Sequence, residues 1–111
     1  MVEFNIFASV GTTEVDLAPH PRGSPTVASD KRRKIYAMVL SNTATGANTL
    51  TLRIYSGATL EASFSIHLPS PGAYSVVGRK EEPILIVPPG RTLKAIASAA
   101  SVEVLMAGFD E

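Results

Sequence analysis

Few residues of this chain have both the type and the spacing that chemistry needs. Glu14 and Asp16 stand two positions apart, so on a strand both carboxylates would project from one face, the arrangement of an acid/base pair or a cation site. Glu81 and Glu82 directly follow Arg79 and Lys80, and local neutralisation in a mixed-charge loop accounts for them without chemistry. His20 sits between Pro19 and Pro21, and His67 falls on the polar side of an alternating segment. Two histidines are too few for a three-histidine zinc site, and the absence of cysteine removes thiol nucleophiles, disulfides and Cys-based zinc sites. No two glycines lie one residue apart, so no Gly-x-Gly phosphate cradle exists; a P-loop and a Gly-x-Ser-x-Gly elbow are also missing. The expectation is a non-enzymatic protein with no cofactor and no metal. The enzymatic alternative is a small hydrolase with Glu14 and Asp16 as acid and base, which requires those carboxylates to converge in a pocket.

The densest charge is the run Asp30-Lys31-Arg32-Arg33-Lys34. Clustered Lys and Arg can displace counterions from a phosphate backbone. Here ten basic residues balance ten acidic ones and no aromatic residue interrupts the run, so nucleic acid is not the expected partner. A solvated lead-in to a strand, or a salt-bridge patch against another protein, is. Sugar-binding modules stack their ligands on exposed rings; with no Trp, three Tyr and four Phe, only Tyr55 is placed for that, and a carbohydrate or surface-ligand module stands as an alternative. The apolar run Ile35 to Leu40 is too short to cross a bilayer. The start MVEFNIFASVG has neither a basic region nor a long apolar stretch, so neither membrane insertion nor a secretory signal is expected.

The elements that must position these residues are strands. Leu50, Leu52 and Ile54 alternate with Thr49, Thr51, Arg53 and Tyr55, and Leu60, Ala62, Phe64, Ile66 and Leu68 alternate with Glu61, Ser63, Ser65 and His67. Period two over such lengths means a sheet with one wet face. Ser56-Gly57-Ala58-Thr59 joins the two runs as a hairpin turn. Leu50, Leu52, Ile54, Phe64 and Ile66 are expected in one buried layer, where Phe64→Ala would cost about 3–5 kcal/mol. Ile35 to Leu40 is apolar on both faces, as in a strand covered twice. Pro83 precedes Ile84 to Val87 as at the first position of a strand. Residues 92–107 admit a helix, through Leu93, Ile96, Ala97, Ala100 and Val104 on one face, or a hairpin turning at Ser98 to Ser101; Val102 to Met106 favours the hairpin. Seven or eight short strands predict an all-β, jelly-roll-like β-sandwich.

Three of the eight prolines, Pro19, Pro21 and Pro25, fall within residues 1–34. This region is expected to be an extended N-terminal arm, with residues 35–111 as the sandwich core. Prolines interrupt regular pairing, leaving Phe4, Ile6, Phe7 and Leu17 to bury against a neighbour, with Lys31, Arg32 and Arg33 as a charged contact. The alternative is an arm that folds back and adds Phe4 to Val10 as an edge strand. Apolar residues make up 45% of the chain and charged ones 18%, below the usual share of about 25%. That balance and the doubly apolar strand point to a closed homo-oligomer, with a trimer favoured.

From Lys31 onward the chain resembles a pattern in small virion proteins of tailed bacteriophages. Its parts here are KRRKIYAMVLSNTATGANTLTLRIYSG, EPILIVPPGRTLKAIASAA and SVEVLMAGFDE: a basic lead into an apolar strand ending in Ser-Asn, a Thr-rich alternating strand, and a Pro-Gly turn before a final strand pair. The resemblance implies a capsid decoration (cement) protein that bridges neighbouring capsid subunits, or else a neck or tail component. Its implied partners are the major capsid protein or other virion proteins, and its implied location is the virion, assembled in the host cytoplasm. It carries no catalytic motif.

Overall fold

A computed structural model of the chain describes residues 2–20 and 22–111. Among these are nine strands and no helix: β1 (Val2–Val10), β2 (Val15–Asp16), β3 (Arg33–Asn42), β4 (Asn48–Ser56), β5 (Thr59–Leu68), β6 (Gly72–Val77), β7 (Leu85–Val87), β8 (Thr92–Ala97) and β9 (Val102–Asp110). One sheet runs β1-β9-β3-β6, with the short β7 also paired to β3; the other runs β2-β8-β4-β5. All pairs are antiparallel. With β7 set aside, every connection crosses between the sheets except the β4–β5 hairpin, which is the wrapping of a jelly roll. The all-β sandwich expected from the alternation is the fold.

The core lies between the sheets and follows the period of two. Ile6 and Val10 of β1, Ile35 and Leu40 of β3, and Val102 and Met106 of β9 meet Leu50 and Leu52 of β4 and Leu93 and Ala95 of β8; all are fully buried. The hairpin turns at Gly57, whose φ of 60° precedes a residue with negative φ, the backbone of a type II′ turn. At one end of the sandwich two buried amides tie the loops together. Asn42 Nδ2 donates to the carbonyls of Gly46 and Ser70, and Asn48 Oδ1 accepts from Ala99 N–H and the Ser98 hydroxyl.

Three expectations need correction. First, the described part of residues 1–34 is not an extended arm beside a core that begins at residue 35; the alternative, in which it folds back with Phe4 to Val10 in an edge strand, is the one that forms. β1 pairs with β9 along its whole length, from Val2↔Asp110 to Val10↔Val102, and β2 joins β8 in the other sheet. Ile6, Val10 and Leu17 have the period and apolarity to complete the core, so folding back buries them at once. Pro19 and Pro25 lie beyond β1 and so do not interrupt its pairing; Pro21 lies outside the described residues. Second, β8 and β9 do not form a hairpin. Both are strands, but residues 98–101 carry the chain from one sheet to the other, because Leu93, Ala95 and Ala97 fill one inner face and Val102, Val104 and Met106 the other. Third, Phe64 pairs with Leu52 and faces inward as expected, yet it is 38% exposed. β5 is an edge strand, and the opposite sheet does not cover it there.

Candidate functional site

The outward side chains of the β1-β9-β3-β6 sheet can be placed row by row from the strand register. Phe7 of β1 stands opposite Leu105 of β9, Leu105 opposite Val39 of β3, and Val39 opposite Ser75 of β6. In the next row Asn5, Ala107, Ala37 and Val77 align in the same way. Phe7 is 53% exposed, Val39 42%, Leu105 40% and Val77 75%, so together they form an apolar surface four strands wide. Phe7, Val39 and Leu105 border a shallow depression of about 260 Å³, closed at one end by Glu103 and Ser41. Glu103 accepts a hydrogen bond from the Ser9 hydroxyl at 2.9 Å. At the other end of the face, Lys34 is bound to Glu111 at 2.8 Å, and Lys80 to Glu3. The apolar residues are thus framed by charges already matched within the chain; Ser75 and Asn5 stand at the ends of the two rows, and the His20 ring packs edge-on against Phe7 with centroids 5.0 Å apart.

The outward face of the β2-β8-β4-β5 sheet has the opposite chemistry. Glu14 Oε2 accepts from Arg53 Nη1 and from the Tyr55 hydroxyl, both at 3.0 Å. Asp16 pairs with Lys94 at 3.3 Å, and the Lys94 ammonium lies 5.2 Å from the centre of the Tyr55 ring. Thr51 and Ser65 share a hydrogen bond across the β4–β5 pair, as do Thr49 and His67. Burial raises the pKa of the Glu14 carboxyl, but the hydrogen bonds from Arg53 and Tyr55 and the charges of Arg53 and Lys94 outweigh it, leaving it below the usual glutamate range. Glu14 and Asp16 do not converge in a pocket: each is held by its own cation, and a carboxyl with a lowered pKa is poorly suited to donate a proton. Tyr55 is half-buried, with its hydroxyl engaged and a lysine over its ring, so it offers no bare stacking platform.

Arg33 and Lys34 of the basic run are paired with the C-terminal acids. Arg33 is 3% exposed and grips Asp110 in a bidentate pair at 2.8 and 2.9 Å, while its third nitrogen donates to the Ser24 carbonyl. Its guanidinium also lies 5.2 Å from the centre of the Phe4 ring. Arg32 and Glu111 exchange backbone hydrogen bonds, and Lys34 holds the Glu111 carboxylate, lowering its pKa through that hydrogen bond and the lysine charge. Lys31 and His20 line a cleft of about 770 Å³ under the segment that leads from β2 to β3, with Phe4, Val27 and the Arg33–Asp110 pair at its walls. Among the described residues, no group of three or more His, Asp or Glu side chains is placed to hold a metal, and no helix is long and apolar enough to cross a membrane.

Of the residues expected to meet a partner, Phe7 lies on the apolar face and Lys31 and Arg32 are at the surface. Phe4 points inward and packs partly buried against the core; Ile6 and Leu17 are core residues, and Arg33 is a buried structural cation. Ile6, Leu17 and Arg33 have no free surface to offer without unfolding, and Phe4 shows only the part that lines the cleft. Val39, Val77 and Leu105 escaped the sequence analysis as surface residues. The signal for them was present in Ile35 to Leu40, apolar on both faces: one face meets the core and the other stands open beside Phe7 and Leu105. Comparison with known proteins finds no family model that matches the chain and no similar curated protein.

Proposed function

We propose that this chain is a non-enzymatic structural protein of a virion, a capsid decoration protein that docks on neighbouring capsid subunits through the outward face of its β1-β9-β3-β6 sheet. The observation that carries this reading is the apolar row Phe7–Leu105–Val39 with Val77 beside it. A regular sheet that exposes large apolar side chains in adjoining rows is a surface made for another protein, since contiguous apolar patches on soluble monomers are small. The fold adds support. A jelly roll presents a broad sheet face, which suits a bridge between subunits better than a deep pocket would. The resemblance in strand pattern to small phage virion proteins supplies the class of partner.

The test is direct. The chain should be present at many copies in purified virus particles, measured by quantitative mass spectrometry. The outward substitutions Val39→Glu and Leu105→Lys should lower its occupancy by about tenfold or more, because central apolar anchors dominate such interfaces. Absence of the chain from purified particles would end the proposal.

A further inference from the structure

The four sheet edges are not protected alike. β2 is only two residues long, and the β1 edge is partly covered where His20 N–H donates to the Asn5 carbonyl. β6 has six residues. β5 has ten, pairs only with β4, and is exposed on both of its faces from Thr59 to Ser65. Proteins usually blunt a long edge with lysine, proline or a bulge. β5 contains neither lysine nor proline, and its one register shift lies near its beginning, at Glu61.

The backbone directions along that edge follow from the ladder. Ser98 N–H donates to the Thr49 carbonyl, so Thr49 bonds toward β8. Alternation in antiparallel pairing then turns Leu50 and Leu52 toward β5, and on β5 it turns Phe64 and Ile66 back toward β4. Ser63, Ser65 and His67 are left presenting their N–H and C=O groups to the open edge.

We infer that β5 pairs antiparallel with β5 of a second copy, about a two-fold axis at Phe64, joining two four-stranded sheets into one of eight strands. The sequence is complementary to itself in this register. Phe64 meets its own copy, Ser63 comes opposite Ser65 and Ala62 opposite Ile66, while Glu61, at the register shift, keeps its pair with Arg91 of its own copy. Inward residues therefore face inward residues, and the hydroxyl-bearing ones face each other. Moving the axis to Ser63 sets Phe64 against Ala62, and moving it to Ser65 sets Phe64 against Ile66, so in either case the two rings no longer meet. The pairing also covers the apolar surface that Phe64 leaves open at this flank. Because the axis runs normal to the joined sheet, both copies turn their β1-β9-β3-β6 faces to the same side. The dimer would carry two apolar faces side by side, but its formation does not depend on what those faces bind.

Sedimentation velocity of the intact chain, from low micromolar to millimolar concentration, should show a mass of two copies. Ser65→Pro should reduce it to one, since the backbone group it removes is an outward N–H; the exposed Thr51–Ser65 hydroxyl bond is lost with it, and circular dichroism checks that the sheet persists. The chain has no cysteine, so Phe64→Cys introduces a single thiol. At a non-hydrogen-bonded pair on the axis, the Cα atoms would be about 4.5 Å apart, within disulfide reach. Phe64→Cys should then cross-link about tenfold faster or more than Phe7→Cys, because the pairing raises the local thiol concentration. A single-copy or three-copy mass throughout, or equal cross-linking rates for the two cysteine variants, would overturn the pairing. Loss of particle occupancy in Leu105→Lys alone would bear on the docking face and leave this pairing intact.

Discussion

On the outward face of the β2-β8-β4-β5 sheet, Glu14 binds Arg53 and Tyr55, Asp16 binds Lys94, and Thr51 binds Ser65. On the outward face of the other sheet, Phe7, Leu105 and Val39 stand exposed in one row, with the edge-on His20 ring against Phe7 and Ser75 opposite Val39. Both faces are pleated, antiparallel and open, so backbone geometry does not distinguish them. What differs is whether the chain completes the chemistry of its own surface. The polar groups of the first face are matched within one copy: its donors meet acceptors and its cations meet carboxylates, with Arg53 Nε the buried polar atom left over among the described residues, and its one large exposed apolar residue there is Leu60, opposite Tyr55. The second leaves apolar area in water that only another surface can remove, and that area is worth roughly 25 cal/mol for each Å² covered. Exposure alone therefore says little about partners; unmatched exposure on a regular sheet says more.

The comparison rests on a common interior, and the largest effects are expected there. Leu52→Ala opens a cavity beneath both faces and should lower stability by about 2–5 kcal/mol in urea unfolding. Arg33→Ala leaves Asp110 without its guanidinium and should cost about 3 kcal/mol, as for the loss of one partner from a buried pair. If either variant unfolds like the wild type, the two sheets do not share the load described here. Phe64→Ala, expected from sequence to rank with these, should cost distinctly less, because a side chain 38% exposed loses less burial.

How much of this was legible beforehand depends on the distance over which a residue acts. Alternation is local, so Leu50, Leu52 and Ile54 could be placed on a buried face from sequence, and Gly57 marked the hairpin. Sheet membership is not local. Val102 to Met106 read as a strand, but whether it pairs with Thr92 to Ala97 or with Val2 to Val10 depends on residues some hundred positions apart, and no nearby pattern encodes that choice. The same distance hid Arg33–Asp110: the basic run was visible and so were the terminal acids, but not their meeting. The apolar face was half legible. Ile35 to Leu40 was visibly apolar on both faces, but the second covering expected from that is absent, since Val39 is 42% exposed; only the register showed that Phe7 and Leu105 extend the same surface.

A smaller effect tests the claim that the polar face is complete. The Glu14 carboxyl has a lowered pKa in the fold, since its hydrogen bonds and neighbouring charges outweigh the effect of burial. A group of this kind contributes stability that is fully present above its unfolded-state pKa and is lost as pH falls through its folded-state pKa. Glu61, through its hydrogen bond from Arg91, and Glu111, through that from Lys34, shift in the same direction. Stability should therefore decline as pH falls below the ordinary glutamate range. Glu14→Gln should flatten part of that decline and cost up to about 1 kcal/mol at neutral pH, the range for a partly exposed pair. A pH profile identical to wild type would mean that the Glu14 contacts contribute nothing, and the contrast between the faces would weaken.

The smallest effect on stability is expected where the apolar face is changed. Leu105 points outward between Phe7 and Val39, and its replacement by lysine removes no inward packing. Surface changes away from special features usually stay within about 0.5 kcal/mol, so the urea midpoint of Leu105→Lys should match that of the wild type. What should change is the surface itself: binding of a hydrophobic dye to the folded protein should fall, because the charge interrupts the central row while the native sheet remains. Thr51→Lys is the matching control on the polar face, and it should leave dye binding unaltered. If Leu105→Lys instead unfolds the protein, the row is part of the structural core and the face has no separate role. If both substitutions leave dye binding unchanged, the row is too narrow to act as a docking surface, and the distinction between the two faces fails at the point where it matters for function.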